Sequence, residues 1–368
     1  MNHVTIYTHL ETDMGEKVHA QKCIKLLGQG KLVDIPSFVG IEKYERNARL
    51  NLSLAEAGHE PITHEKEANG LEIALTWSAG LSALYGNGIN PQIAKLYTHL
   101  KNERILKPLY NNVRLIITES LLANERALAY GLENTLYIPH HFTHTPKKTK
   151  RLDKRVVIGC VSRFEYWKNV EFALDAVKEL AKRHDVLLIL KGNHPQRELY
   201  PKYHVHLQEK LELYSKEGWL KWDSTFTPYP EVLAEYADFD FCIQPSGSEG
   251  ASNTVVELLA MGIPVIVLNT SSNPYLFQEG ALFAEAHPEV IGTQLPFHEP
   301  ILSSLIEQTE RLMDEKERRI WAGRAQKIAF ERFHPSIAKR RLTAMLNPSI
   351  DAKTLKKFYD QDRALYRL

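Results

Sequence analysis

The sequence predicts an α/β protein built on parallel sheets, and three observations carry that expectation. Phe239–Gln244 and Val265–Leu268 are short apolar runs, and the residues between them read as a loop followed by one helix. Arg155–Ser162 and Val186–Leu190 repeat the arrangement around a helical stripe of Val170, Ala173, Leu174, Val177, Leu180 and Ala181. The amino-terminal half also alternates strand and helix, opening with a strand over Val4–His9 and a helix over Glu16–Leu27.

Each remaining element has a local signature. Between Val39 and Thr63, Tyr44, Ala48, Leu52 and Ala55 keep helical spacing and Gly58 suits the position after a helix end. Glu72–Leu75 and Ala94–Tyr97 read as strands, the second running into Thr98-His99. Leu115–Thr118 is a strand, and the helix after it closes at Gly131. Leu136-Tyr-Ile-Pro139-His140-His141 leads into a basic, Pro-led stretch through Arg155, which reads as a linker. The expected organisation is a first domain over 1–145, a linker over 146–155, a second domain over 156–335 and terminal helices over 336–368. Asn169 is placed to N-cap the helix that follows it.

The chemistry concentrates in Pro245–Glu257. A loop of Ser and Gly runs into a helix that begins near Ser252 or Asn253, ends at Gly262 and is stopped by Pro264. Glu249 stands in the loop, while Glu257 stands about 7 Å along the helix axis from Ser252 at ~1.5 Å per residue. Between the carboxylates lies a helix N-terminus, whose free N–H groups and partial positive charge suit phosphate. A diphosphate flanked by two hydroxyl-rich groups fits that arrangement, which describes a nucleotide-sugar. Arg163 at a strand end and Lys168 just before a helix add two cations where an anion would bind.

Glu249-x7-Glu257, with Gly250 and Asn253 ahead of Ala260-Met-Gly-Ile-Pro-Val265, resembles the donor-site signature of retaining GT-B glycosyltransferases of the family 4 type, the glycosyl transferases group 1. The resemblance implies two Rossmann-like domains facing across a cleft, the second holding the donor, with C-terminal helices crossing back to the first. It implies that Glu249 contacts the transferred sugar, Glu257 the ribose, and Arg163 and Lys168 the diphosphate. The amides of Gly250, Ala251, Ser252 and Asn253 would face the phosphates. His99 stands where the family places a histidine near the transferred sugar. Gly40 stands in the family's early glycine-rich loop, although a single glycine leaves open whether the Gly15 or the Gly40 loop faces the phosphates. Transfer would run from a UDP- or GDP-sugar to an acceptor hydroxyl with retention, requiring no cofactor and no metal. The acceptor would be a saccharide, a lipid-linked glycan, a small molecule or a modified base.

Composition narrows the alternatives. A net charge of +1 gives no general attraction to polyanions, although 336–368 carry 8 Lys/Arg against 3 Asp, as a solvated helix or a peripheral membrane contact would. No apolar run approaches the ~20 residues of a membrane span, and the amino-terminal residues lack a signal-peptide pattern. Three dispersed cysteines, Cys23, Cys160 and Cys242, suit reduced thiols, so a cytoplasmic setting is expected, with peripheral contact at the inner membrane face as an option. Asp238-Phe-Asp240 opens a strand and is set aside as a metal motif, as is His204-x-His206, which would share a strand face but has no third ligand. His140-His141 reads as a hinge feature rather than a ligand pair. Ser246 and Ser248 have no triad partners. The rival readings are another GT-B enzyme, such as a phosphorylase or epimerase, and a non-catalytic module binding a nucleotide-sugar or polyanion.

Overall fold

The computed structural model describes residues 4–8, 15–28, 30–34, 73–76, 93–95, 113–143, 154–193, 201–225, 227–229, 231–288, 290–291, 296–347 and 349–367. The helix expected over Val39–Gly58, Gly40 and His99 lie outside them. The chain forms two compact units, one of Met1–His141 with Pro335–Leu368 and one of Phe142–His334. The expected linker over 146–155 falls almost wholly outside the described residues.

The first unit holds β1 (Val4–Thr8), α1 (Gly15–Leu27), β2 (Lys31–Asp34), β3 (Ile73–Thr76), β4 (Ile93–Lys95), β5 (Leu115–Thr118), α2 (Leu121–Ala129) and β6 (Thr135–Tyr137). Its sheet runs β2-β1-β3-β4-β5-β6 with every pairing parallel. Val4, Ile6, Ala20, Cys23, Leu115, Ile117, Leu136 and Ile138 share one core with Leu342, Met345 and Leu355 from the far end of the chain. Each such side chain, fully buried, contributes roughly 1.5–3 kcal/mol if it is a Leu, Ile or Met.

The second unit holds β7 (Val156–Val161), α3 (Val170–Ala181), β8 (Val186–Lys191), α4 (Pro201–Ser215), β9 (Leu220–Asp223), α5 (Glu231–Tyr236), β10 (Phe241–Gln244), α6 (Asn253–Ala260), β11 (Val265–Leu268), α7 (Asn273–Phe277), β12 (Leu282–Ala284), α8 (Leu302–Arg311) and α9 (Glu315–Arg332). Its sheet runs β12-β11-β10-β7-β8-β9, again parallel throughout. All four residues of β10 and of β11 are buried, as a parallel sheet covered on both faces requires. On α3 the buried residues are Val170, Ala173, Leu174, Ala176, Val177 and Leu180, so the helical stripe read from the sequence is the face it buries.

One expectation is corrected here. His204 and His206 lie on helix α4, not on a strand. Two residues apart on a helix they point to different sides, and His204 is buried while His206 is exposed. Asp240 precedes β10, and its carboxylate accepts a hydrogen bond from the Val157 amide at 2.8 Å. That places the acidic pair at the amino end of β10, about four strand residues or ~13 Å from the loop at its carboxyl end. The chain ends in α10 (Pro335–Leu346) and α11 (Ala352–Tyr366), both in the first unit. Among the described residues no helix is long and apolar enough to cross a membrane.

Candidate active site

The strand order of the second unit brings the distant sequence motifs together. From β7 the chain builds outward through β8 to β9, whereas β10, β11 and β12 extend from the other side of β7. The order therefore reverses between β7 and β10, and the loops leaving their carboxyl ends diverge around the crevice where open α/β sheets bind ligands. Arg163 and Lys168 leave β7; Glu249 leaves β10. Residues 81 apart in sequence meet there, because the Lys168 ammonium is ion-paired with the Glu249 carboxylate.

The β7 loop is pinned on both sides of Arg163. Ser162 donates its amide to the Lys191 carbonyl at 2.9 Å and Phe164 donates to Asn193 at 2.8 Å. Arg163 Nη1 lies 3.0 Å from Oε1 of Glu165, a carboxylate with no solvent exposure. Burial pushes Glu165 above the ordinary carboxylate range, against the pull of Arg163 and Lys168, and Glu249 pushes it the same way as burial. Glu165 thus anchors Arg163 from beneath while the guanidinium keeps a third of its surface open to solvent.

Asn169 does not cap α3. Its backbone is left-handed, with φ 52°, and its side chain makes no capping bond. Asn tolerates that conformation better than most residues. The side-chain amide instead donates to the Pro245 carbonyl at 2.9 Å and to the His298 carbonyl at 2.8 Å. Gly247 lies in the same strut: its amide donates to the Trp167 carbonyl at 2.7 Å and its carbonyl accepts from His298 at 3.0 Å. A Cβ on Gly247 would stand 1.9 Å from the His298 oxygen. Only glycine lets the loop pass between these two backbones.

Beyond the loop, Ser252 caps α6 by accepting the Val255 amide at 3.3 Å, which fixes where the first turn of the helix meets the crevice. Gly250, Ala251, Ser252 and Asn253 are all partly exposed there. Glu257 is one turn further and 2% exposed. Its carboxylate neighbours Tyr229 and Tyr236: burial, then Glu257, pushes both phenols above their ordinary range. The Tyr229 hydroxyl also lies 2.7 Å from Thr143 Oγ1. Met261 and Gly262 close the helix, Gly262 with φ +69°.

The structure thus brings together Arg163, Lys168, Glu249, Glu257 and the start of α6, and it adds Glu165, Asn169, Tyr229 and His298, which the sequence did not single out as site residues. His140 belongs to a different cluster. Its Nε2 lies 3.1 Å from Glu119 Oε2 in the first unit, and the boundary between the two units falls directly after His141.

Residues 155–295 match the family model of the glycosyl transferases group 1. The GDP-mannose-dependent alpha-mannosyltransferase of Mycolicibacterium smegmatis is similar over 191 residues at 27% identity, which is 51% of this chain and 46% of that protein. The chain therefore spans under half the length of that curated relative. Anabaena HepE, solved in complex with UDP-glucose, superposes with a TM-score of 0.69 at 16% identity, covering 94% of this chain and 99% of HepE. Sucrose-phosphate synthase from Thermosynechococcus elongatus gives 0.69 at 13% identity over 94% and 98%. WaaG, a glycosyltransferase involved in lipopolysaccharide biosynthesis, gives 0.61 at 12% over 94% and 100%. The fold is GT-B, as the sequence resemblance implied. The family match falls wholly within the second unit.

Proposed function

We propose that this chain is a retaining glycosyltransferase of the family 4 type, moving a sugar from a nucleotide-diphosphate sugar to an acceptor hydroxyl. The observation that carries the reading is the meeting of Arg163, Lys168, Glu249 and the α6 N-terminus at the strand-order reversal, with the Glu257 carboxylate buried behind them. Glu257 takes the ribose hydroxyls. Arg163, Lys168 and the amides of Gly250 to Asn253 take the diphosphate, and Glu249 takes the sugar. His99 and the Gly40 loop are proposed to complete the site on the sugar and phosphate sides. UDP and GDP are the favoured nucleotides, since HepE was solved with UDP-glucose and the mannosyltransferase is GDP-mannose-dependent.

In the reaction the bond between the anomeric carbon and the diphosphate oxygen breaks, and the acceptor oxygen bonds to that carbon from the same face. The acceptor proton passes to a phosphate oxygen, and the nucleoside diphosphate departs. Negative charge grows on the leaving group, where Arg163 and Lys168 stabilise it more than in the ground state. The Lys168–Glu249 pair opens or shares its proton donors when the donor binds, because the same ammonium serves both partners. Metal is not required by this scheme, since two cations and a helix terminus supply the positive charge.

The test is a thermal-shift and turnover screen against UDP-, GDP-, ADP- and TDP-sugars, with Glu257→Gln and Lys168→Ala. One nucleotide class should stabilise the protein by ~2.7 kcal/mol at 100 times its Kd, and Glu257→Gln should lose the shift. Lys168→Ala should lower kcat roughly 10²–10³-fold. A shift indifferent to Glu257, or none at all, would overturn the reading, and binding without turnover would turn it into that of a non-catalytic module.

A further inference from the structure

Three residues from separate parts of the first unit converge behind the ends of its strands. His19 lies on α1, Glu119 directly follows β5, and His140 follows β6. Glu119 Oε2 is 3.5 Å from His19 Nδ1 and 3.1 Å from His140 Nε2, and the three ligand atoms all lie within 4.8 Å of one another. His19 has no exposure, His140 has 3%, and their ring centroids lie 4.1 Å apart at a tilt of 40°.

We propose that His19, Glu119 and His140 form a site for one divalent transition-metal ion of the Zn²⁺ class. Zinc takes imidazole nitrogen and carboxylate oxygen at ~2.0–2.2 Å in a tetrahedron, whose ligand–ligand edges are then roughly 3.3–3.6 Å. The 3.5 Å edge falls in that span, the 3.1 Å edge is a few tenths of an ångström shorter, and the third edge is at most 4.8 Å, so an ion fits once the side chains shift. Two imidazoles and one carboxylate are a borderline N/O set that selects Zn²⁺ and its neighbours over Mg²⁺ or Ca²⁺. Three protein ligands leave a fourth position for water. The ion would tie α1 to the carboxyl ends of β5 and β6, linking residues 100 positions apart (19 to 119). This site lies wholly in the first unit and is independent of the donor reading.

The experiment uses the full chain, freed of metal with a chelator and titrated with Co²⁺ as a spectroscopic probe, then with Zn²⁺ as competitor. The expected result is tetrahedral Co²⁺ absorption saturating at one equivalent, displaced by Zn²⁺. Glu119→Gln and His140→Gln should each weaken binding by more than the ~10–100-fold that loss of a supporting contact costs. His206→Gln, at an exposed histidine, should leave it unchanged. Circular dichroism identifies which variants fold, and either folded variant suffices. Absence of tetrahedral absorption in the folded wild type, or unchanged affinity in a folded Glu119 or His140 variant, overturns the proposal.

Discussion

Gly247 illustrates how a single residue can be dictated by its backbone neighbours. Its two peptide groups bond to Trp167 on one side and His298 on the other, and no space is left for a methyl group. Gly247→Ala must push the loop away from His298, and overpacking of this kind costs about 1–3 kcal/mol. We expect a lower urea midpoint at unchanged m-value, together with weaker donor affinity because Glu249 rides on the same loop. Wild-type stability and affinity in Gly247→Ala would show that the loop is free to move. The sequence marks this loop as glycine-containing and as the place of the Glu249 carboxylate. It does not mark Gly247 as the wedged one, because the opposing backbone comes from His298, 51 positions away.

At the scale of elements, α3 and α4 are joined by a buried polar contact. The Tyr203 hydroxyl donates to Glu171 Oε2 at 2.9 Å. Burial raises Glu171 to about 7, against the opposing hydrogen bonds and Lys210. A carboxyl raised in the folded state binds its proton more tightly there than in the unfolded chain. Its stabilising contribution is therefore full below pH ~4.5 and is lost as pH rises through ~7. Glu171→Gln removes that loss, so we expect it to match wild type near pH 5 and to exceed it at pH 8, by at most about 3 kcal/mol. Thermal melts across that range give the comparison; a gap that is flat with pH would show Glu171 to be ionised throughout. Helix α3 is read correctly from its apolar stripe, whereas α4 is not, since its buried face is only His204, Leu207, Leu211 and Tyr214. With a histidine and a tyrosine among four buried positions, that face gives a weak periodic signal.

For the whole molecule, the chain returns to its first unit as two helices that a buried ion pair joins to each other. Arg341 of α10 donates from Nη1 and Nη2 to the two Asp362 oxygens of α11 at 2.9 and 2.6 Å. Burial still raises Asp362 to about 6 despite the arginine. Arg341→Met leaves that carboxylate buried and unpaired, which costs about 3–5 kcal/mol. The loss should shrink at low pH, where Asp362 is neutral, and the double variant Arg341→Met/Asp362→Leu should recover most of it. Denaturant titrations of the three proteins at pH 7 and pH 5 measure this; an equally unstable double variant would mean that the pair supplies net stability.

Local order came from the sequence by itself: the βαβ units, a helix start at Ser252 or Asn253, the helix end at Gly262 and the candidate residues Arg163, Lys168, Glu249 and Glu257 in their chain order. These follow from apolar periodicity, capping chemistry and spacing, all of which act over a few residues. Only the tertiary structure decided which of those residues meet. Strand order places the β7 and β10 loops side by side, turns Asn169 from an expected cap into a strut, and gathers His19, Glu119 and His140 around one oxygen. Parallel strands require long crossovers, so their neighbours are set by how the helices pack and not by any nearby residue.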